Sequence, residues 1–249
     1  STVLEDCGKR GIMNAVVITA GYREMGPEGA ALEQELLATA RKHGIRFTGP
    51  NCIGIINTSV KLNCSMFYSE GKPGAMGLVS QSGSYVTQPL YYFSQHGINL
   101  SSAVSAGNQS DIDIADSLVF FADDEHTRSV AAYIEGFSDG NKFLEAARYA
   151  TGKKPVVVLY VGGTEEGSRS GKSHTGAVAT DDAIADAVFH QTGVIRAASV
   201  GDLFDFAHAF SVQPLPRGNR VAVITNSGAV SYTHLRAHET VLDLVCRLL

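Results

Sequence analysis

The chain has 249 residues, of which 44% are hydrophobic and 18% charged, and a net charge of −5. That balance predicts a well-cored α/β protein and argues against nucleic acid as the main partner, since an acidic chain has little with which to neutralise a phosphate backbone. No apolar run reaches membrane-spanning length and no signal peptide opens the chain, so no membrane partner and a cytoplasmic location are expected.

The four cysteines (Cys7, Cys52, Cys64 and Cys246) lack C-x-x-C spacing and read as reduced thiols. The chain opens inside a helical pattern, so its natural start is expected further upstream. Residues 14–19 form a β-branched run that predicts a buried strand, ended by a turn at Ala20 and Gly21. Pro27 then opens a helix to about residue 43, with Glu28 in the first turn, Gly44 as stop, and Leu32, Leu36 and Ala40 as its apolar stripe. A second strand at 46–48 is closed by Gly49-Pro50-Asn51-Cys52-Ile53-Gly54. Together these residues, 1–70, predict the C-terminal part of a Rossmann-like domain.

After a polar stretch the pattern restarts. Apolar runs at 76–79, 101–104, 130–134, 156–160 and 194–195 predict five strands, and helices are predicted at 82–96, 112–122, 142–150, 181–191 and 200–209. Strict alternation of β and α predicts a flavodoxin-like, parallel, doubly wound domain over 71–213. Pro89 should kink the first of these helices or force a later start. A linker at 215–219 leads to a further strand at 221–225, ending in Asn226-Ser227-Gly228, so 214–229 reads as the beginning of a third domain. From Val230 to Leu249 the sequence matches a translated sequencing-library adapter in two separate pieces. His234 and His238, spaced i, i+4 like metal ligands, are therefore excluded from functional reasoning together with that tail.

In a parallel sheet the ligand site lies beyond the carboxyl ends of the strands. Four loops leave those ends with distinctive residues. Ser80-Gln81-Ser82-Gly83, at a helix start, offers amide donors and small side chains suited to phosphate. Ser105-Ala106-Gly107-Asn108 is a turn that can add amide donors. Glu135, ending an apolar strand before Gly136, can accept a proton from an imidazole and fix its tautomer, or can simply reach solvent. His174, set among Ser168, Arg169, Lys172, Ser173, Thr175 and Gly176, sits in a loop of small residues where a ring can swing between sites. The Gly171-Lys172-Ser173 stretch is not a nucleotide-binding P-loop, because the first glycine of that motif would have to occupy the position of Glu166. No metal cluster and no cysteine nucleophile competes with these loops.

The ordered motifs Ile18-Thr19-Ala20-Gly21, Gly49-Pro50-Asn51-Cys52-Ile53-Gly54, Ser80-Gln81-Ser82-Gly83, Tyr133-Ile134-Glu135-Gly136 and Ser173-His174-Thr175-Gly176 resemble the NDP-forming acyl-CoA synthetases. ADP-forming acetate–CoA ligase is the typical member, and the α-subunit of succinyl-CoA synthetase is related. The resemblance implies that Thr19, Gly21, Pro50, Asn51 and Cys52 line the pantetheine and thiol end of coenzyme A. It implies phosphate at Ser80, Ser82, Gly83, Gly107 and Asn108, and a phosphorylated His174 oriented by Glu135. Ala20 stands where succinyl-CoA synthetase has a glutamate, so that carboxylate has no role here.

The implied reaction is acyl-CoA + phosphate + ADP ⇌ acid + CoA + ATP, for acetate or another short acyl group. ADP/ATP and Mg2+ would belong to an ATP-grasp domain or subunit outside this chain, in an oligomeric assembly. Two alternatives stay open: a coenzyme A-binding regulatory module of a protein acetyltransferase, and a flavodoxin-like redox protein. Retention of His174 with Glu135 speaks against the first. The lack of tryptophan, and of aromatics in the Ser80 and His174 loops, speaks against the second.

Overall fold

Two sheets organise the residues that a computed structural model of the chain describes, namely 2–67, 72–163, 180–216 and 218. They belong mainly to a unit spanning Ser1–Gln213; the remainder, Pro214–Leu249, forms a second unit. The strand expected at 221–225 and the tail from Val230 onward lie outside the described residues, as does the loop carrying His174.

The small sheet pairs β1 (Asn14–Val16) with β2 (Arg46–Thr48) in parallel, Ala15 standing opposite Phe47. Helix α2 (Pro27–Lys42) connects them, with proline at its start supplying a pre-set φ. Leu36, Leu37 and Ala40 of α2 pack with Leu4 of α1 (Thr2–Lys9) and with Ile45 and Phe47. The predicted stripe is corrected at one position. Leu32 is 54% exposed, whereas its neighbour Glu33 is only 3% exposed. A carboxylate tolerates such burial only with partners, and Glu33 has them, as described below.

The large sheet has seven strands. β5 (Met76–Ser80), β6 (Leu100–Ser105), β7 (Ser129–Ile134), β8 (Val156–Tyr160) and β9 (Ile195–Arg196) are mutually parallel and lie in the order β6-β5-β7-β8-β9. Second, first, third, fourth, fifth is the flavodoxin-type order. Strands β5 to β8 are buried along their whole length, as strands covered on both faces must be. Val79, Val104, Ala132 and Val158 face α4 (Ile114–Asp123), α5 (Gly140–Thr151) and α6 (Asp182–Thr192), while Leu78, Ala103, Ala131 and Val157 face α3 (Ser84–His96) and α7 (Val200–Val212). Each large apolar side chain so buried contributes about 1.5–3 kcal/mol. Helix α3 begins at Ser84, two residues after the predicted start, and carries Pro89 in its interior.

The remaining two strands were not expected. β3 (Gly54–Asn57) and β4 (Leu62–Ser65) form a hairpin that joins the large sheet by antiparallel pairing of β3 with β6. Asn57 builds the tip: its Oδ1 accepts from the Ser59 N–H (3.1 Å), the Ser59 hydroxyl (2.6 Å) and the Val60 N–H (3.3 Å), and Lys61 takes φ +56°. Thus residues that precede position 70 are hydrogen-bonded into the sheet that follows it.

Candidate functional site

The carboxyl end of β5 leads through Gln81, Ser82 and Gly83 into α3, whose first N–H groups have no intrahelical partner. Gly83 is small for a steric reason, since a Cβ there would lie 2.2 Å from Cγ1 of Ile53. The hydroxyls of this loop are partly committed. Ser80, 0% exposed, donates to the Ser82 carbonyl at 2.6 Å. A serine has a single O–H, so the hydroxyl of Ser80, a residue expected at the phosphate site, is committed to shaping the loop. Ser82 Oγ and Ser84 Oγ share one hydrogen bond at 3.0 Å, which leaves one O–H of the pair to donate elsewhere.

Gln81 occupies the position that the sequence reading passed over. It is 1% exposed, and its main-chain N–H donates to the Tyr133 carbonyl on β7 (3.2 Å). Its Oε1 accepts the N–H of Glu135 (2.5 Å) and of Gly136 (3.2 Å). Two amide donors at one oxygen also settle which way the side-chain amide points. Its Nε2 is buried without a hydrogen-bond partner, an uncommon state for a buried donor. Gln81 therefore joins the start of α3 to the strand end that carries Glu135. No local pattern marks such a residue, because its partners lie 54 and 55 residues away.

Glu135 is 5% exposed at the end of β7. Beside it, a Cβ on Gly162 would come within 2.2 Å of the Glu135 carbonyl, so β8 leaves the sheet in close contact with this residue. The segment bearing His174 starts just beyond Gly163 and returns at Thr180, where the Tyr160 hydroxyl donates to the Thr180 carbonyl (2.8 Å) and accepts the Thr180 N–H (2.9 Å). Both ends of that segment are thus anchored at the carboxyl end of β8. Burial raises the Tyr160 phenol above its ordinary value, and burial does the same to Tyr133, which stacks on Tyr85 with ring centroids 3.9 Å apart.

The small-sheet loops meet the β6–α4 loop. The Asn51 N–H donates to the Thr19 carbonyl (2.9 Å), the Asn108 N–H to the Pro50 carbonyl (2.9 Å), and the Ile53 N–H to Ser105 Oγ (3.0 Å). Gly107, at φ +56°, permits this approach, since a Cβ there would stand 2.2 Å from the Pro50 carbonyl oxygen. Gly21, at φ +105°, faces open space and Thr19 is exposed. Glu24 braces their turn: its Oε1 accepts the N–H of Gly21 (2.5 Å) and of Tyr22 (3.0 Å). Partial burial works against its charge, but hydrogen bonds from Asn108 and from those two N–H groups hold the carboxyl below its ordinary value.

The side chains of two further residues expected at the site are committed elsewhere. The Ala106 N–H donates to the Ser80 carbonyl (2.7 Å) and the Asn108 N–H to Pro50, so the turn cannot offer these amides to phosphate. The Asn108 side chain is also fully engaged, with Glu24, Glu33 and Asn51. Cys52 is expected among the residues lining the thiol end of coenzyme A, and its own thiol turns inward toward the carbonyls of Val17 (3.4 Å) and Thr48 (3.9 Å). Burial pushes it up to about 11, so only the main chain of Cys52 remains to line an open site.

Taken together, the edge offers helix-start amides, one serine hydroxyl, a buried amide donor and a carboxylate beside two glycine-built turns. That set suits an anion and transfer of a charged group from an adjacent carbonyl. Among the described residues no group of three His, Cys, Asp or Glu could hold a metal ion, and no helix is long and apolar enough to cross a membrane.

Residues 73–210 match the family described as succinyl-CoA ligase like flavodoxin domain. The chain is 43% identical, over 228 residues, to the acetate–CoA ligase (ADP-forming) I subunit alpha of Pyrococcus furiosus, covering 92% of this chain and 49% of that one. It is 42% identical over 226 residues to the acetate–CoA ligase (ADP-forming) of Methanocaldococcus jannaschii, covering 91% of this chain and 32% of the relative. Among solved structures, the dinucleotide-forming acetyl-coenzyme A synthetase 1 of Ca. Korarchaeum cryptofilum, in complex with phosphate and ADP, superposes with a TM-score of 0.87 at 38% identity. That match covers 95% of this chain and 51% of the other. The chain therefore spans between about a third and about half of the length of these relatives.

Proposed function

The chain belongs to the succinyl-CoA ligase like flavodoxin-domain family, and from that premise we propose that it is the acyl- and phosphoryl-transferring part of an ADP-forming acid–CoA ligase. Residues 1–70 hold the thiol end of coenzyme A through Thr19, Gly21 and the main chain of Pro50, Asn51 and Cys52. Residues 71–213 hold phosphate at Ser82, Gly83 and the start of α3. A phosphate oxygen attacks the thioester carbonyl, the coenzyme A thiolate leaves, and an acyl phosphate forms. Nε2 of His174 then attacks phosphorus and the carboxylate leaves. Glu135 holds the other ring nitrogen, which keeps Nε2 nucleophilic and stabilises the imidazolium character that develops. The phosphoryl group passes from His174 to ADP on an ATP-grasp partner, where Mg2+ accompanies the nucleotide.

The observation that carries this reading is the Gln81 bridge. By accepting from both Glu135 and Gly136, it ties the anion-binding helix start to the carboxylate that must meet the histidine. The anchoring of both ends of the His174 segment at β8, beside Glu135, supports the same reading. The relatives are ligases and do not favour the regulatory-module alternative.

The test is phosphoryl transfer from γ-labelled ATP to the chain in the presence of its ATP-grasp partner. An acid-labile, alkali-stable label is expected, lost in His174→Ala and reduced in Glu135→Gln with coenzyme A binding retained. Undiminished labelling of His174→Ala would refute the mechanism.

A further inference from the structure

Asn108 is 0% exposed, yet its short side chain is shared among the turn before α2, α2 itself and the loop after β2. Its Nδ2 donates to Glu24 Oε2 (2.7 Å) and to Glu33 Oε2 (2.9 Å), and its Oδ1 accepts from Asn51 Nδ2 (3.2 Å). Glu33, itself buried, also accepts the Arg23 N–H (3.2 Å) and the Ser110 hydroxyl. The β1–α2 turn and the loop after β2 both hang from this one amide, which is planted on the large sheet. Its own loop is fastened to the β5 edge by the bond from Ala106 N–H to the Ser80 carbonyl (2.7 Å).

Only an amide satisfies this arrangement. The two carboxylates need donors, Asn51 needs an acceptor, and a buried polar group left without its partner is costly. A carboxylate at 108 would supply no donor and would add a third negative charge to a buried site. An apolar side chain would take one hydrogen bond from each of Glu24, Glu33 and Asn51.

We propose that Asn108 is a positioning residue, which fixes the coenzyme A thiol-end loops of the small sheet against the anion-binding edge of the large one. This rests on the functional reading above. Attack of phosphate on a thioester requires the reacting atoms within about 3–3.5 Å, and a displacement of about 1 Å costs on the order of a hundredfold in rate. A clasp between the two loops that hold the reactants sets that distance without touching either reactant.

The test is a donor–acceptor exchange. Asn108→Asp removes the amide, and Asn108→Asp combined with Glu33→Gln restores one amide and two carboxylates in the same cluster. Two readouts are taken on the full-length protein that contains this chain: amide hydrogen exchange at Gly21, Tyr22 and Asn51, and coenzyme A affinity by calorimetry. In Asn108→Asp those amides should exchange about tenfold faster or more, and coenzyme A should bind about tenfold more weakly. Both should recover by at least about threefold in the double variant, since the amide placed at 33 then donates to the carboxylate placed at 108 while the contact with Glu24 stays lost.

Parent exchange rates in a folded Asn108→Asp protein overturn the proposal. So does a loss that Glu33→Gln fails to repair, because generic destabilisation would worsen with a second change. If Asn108→Asp does not fold, the double variant decides alone: recovery of folding supports the clasp, and failure to fold overturns it. A parent chain that does not bind coenzyme A sinks the functional reading, and the exchange arm still judges the clasp.

Discussion

Replacing Gln81 with leucine keeps the volume of the side chain nearly constant while deleting its polar head. The Glu135 and Gly136 N–H groups then lose their shared acceptor inside the protein. An unpaired buried donor costs about 1–3 kcal/mol, so two cost roughly 2–6 kcal/mol. The same change removes Nε2, which is buried without a partner, and so returns about 1–3 kcal/mol. The expected net loss is therefore about 1–3 kcal/mol. At about 2–4 °C per kcal/mol for a unit of this size, Tm should fall by roughly 2–12 °C.

Gln81→Glu separates the two halves of that sum, because it retains an acceptor for both N–H groups and replaces only the donor. It should keep the Gly136 amide protected from hydrogen exchange, whereas Gln81→Leu should expose it. Phosphate binding should weaken in Gln81→Glu, since a carboxylate then stands beside the anion site. Thermal melts with per-residue exchange decide the matter. An unchanged Tm in Gln81→Leu with Gly136 still protected would refute the bridging role.

Gly107→Ala should lose more than about 2 kcal/mol in urea unfolding, since a left-handed non-glycine residue alone costs roughly 1–2 kcal/mol and its Cβ would stand 2.2 Å from the Pro50 carbonyl oxygen. An unchanged midpoint contradicts this. Iodoacetamide at pH 8 should modify exposed Cys64 well before Cys52, whose thiol is pushed up to about 11 by burial, leaving about one molecule in a thousand as thiolate; equal rates by peptide mapping would exclude it. Hydrogen bonds from Lys42 and then His43 hold Glu5 down from an ordinary 4.5 to about 2. A depressed carboxylate stabilises the fold above its unfolded value and loses that contribution as pH falls toward its folded one. Glu5→Gln should thus flatten the dependence of stability on pH between about 4.5 and 2, and parallel acid titrations of the two proteins would count against the pair.

The strands at 130–134 and 156–160 were legible because strands covered on both faces must be unbroken apolar runs. The flavodoxin-type order followed from alternation with helices, and Pro27 and Gly44 marked α2 correctly. The hairpin was not legible. β4 reads Leu-Asn-Cys-Ser and is mostly exposed, so it carries no apolar signal, and β3 has only four residues. In the candidate site the sequence singled out the strand-end loops but did not show what the side chains of Ser80, Cys52 and Asn108 bond to. For Cys52 and Asn108 the partners lie far along the chain: Cys52 meets Val17 across 35 residues, and Asn108 meets Glu33 and Glu24 across 75 and 84. A pattern of neighbours cannot encode such pairings.

The hairpin also bears on how such modules are inherited. The family match begins at residue 73, yet the outer edge of β6 is covered by β3, which lies wholly before that point. A segment excised at the family boundary would carry β6 with its outer row of N–H and C=O groups uncovered, an invitation to edge-to-edge association. The stretch recognisable by descent is therefore shorter than the stretch that closes the edge of its own sheet. A rearranged gene that keeps residues 54–65 with 73–210 keeps that edge paired.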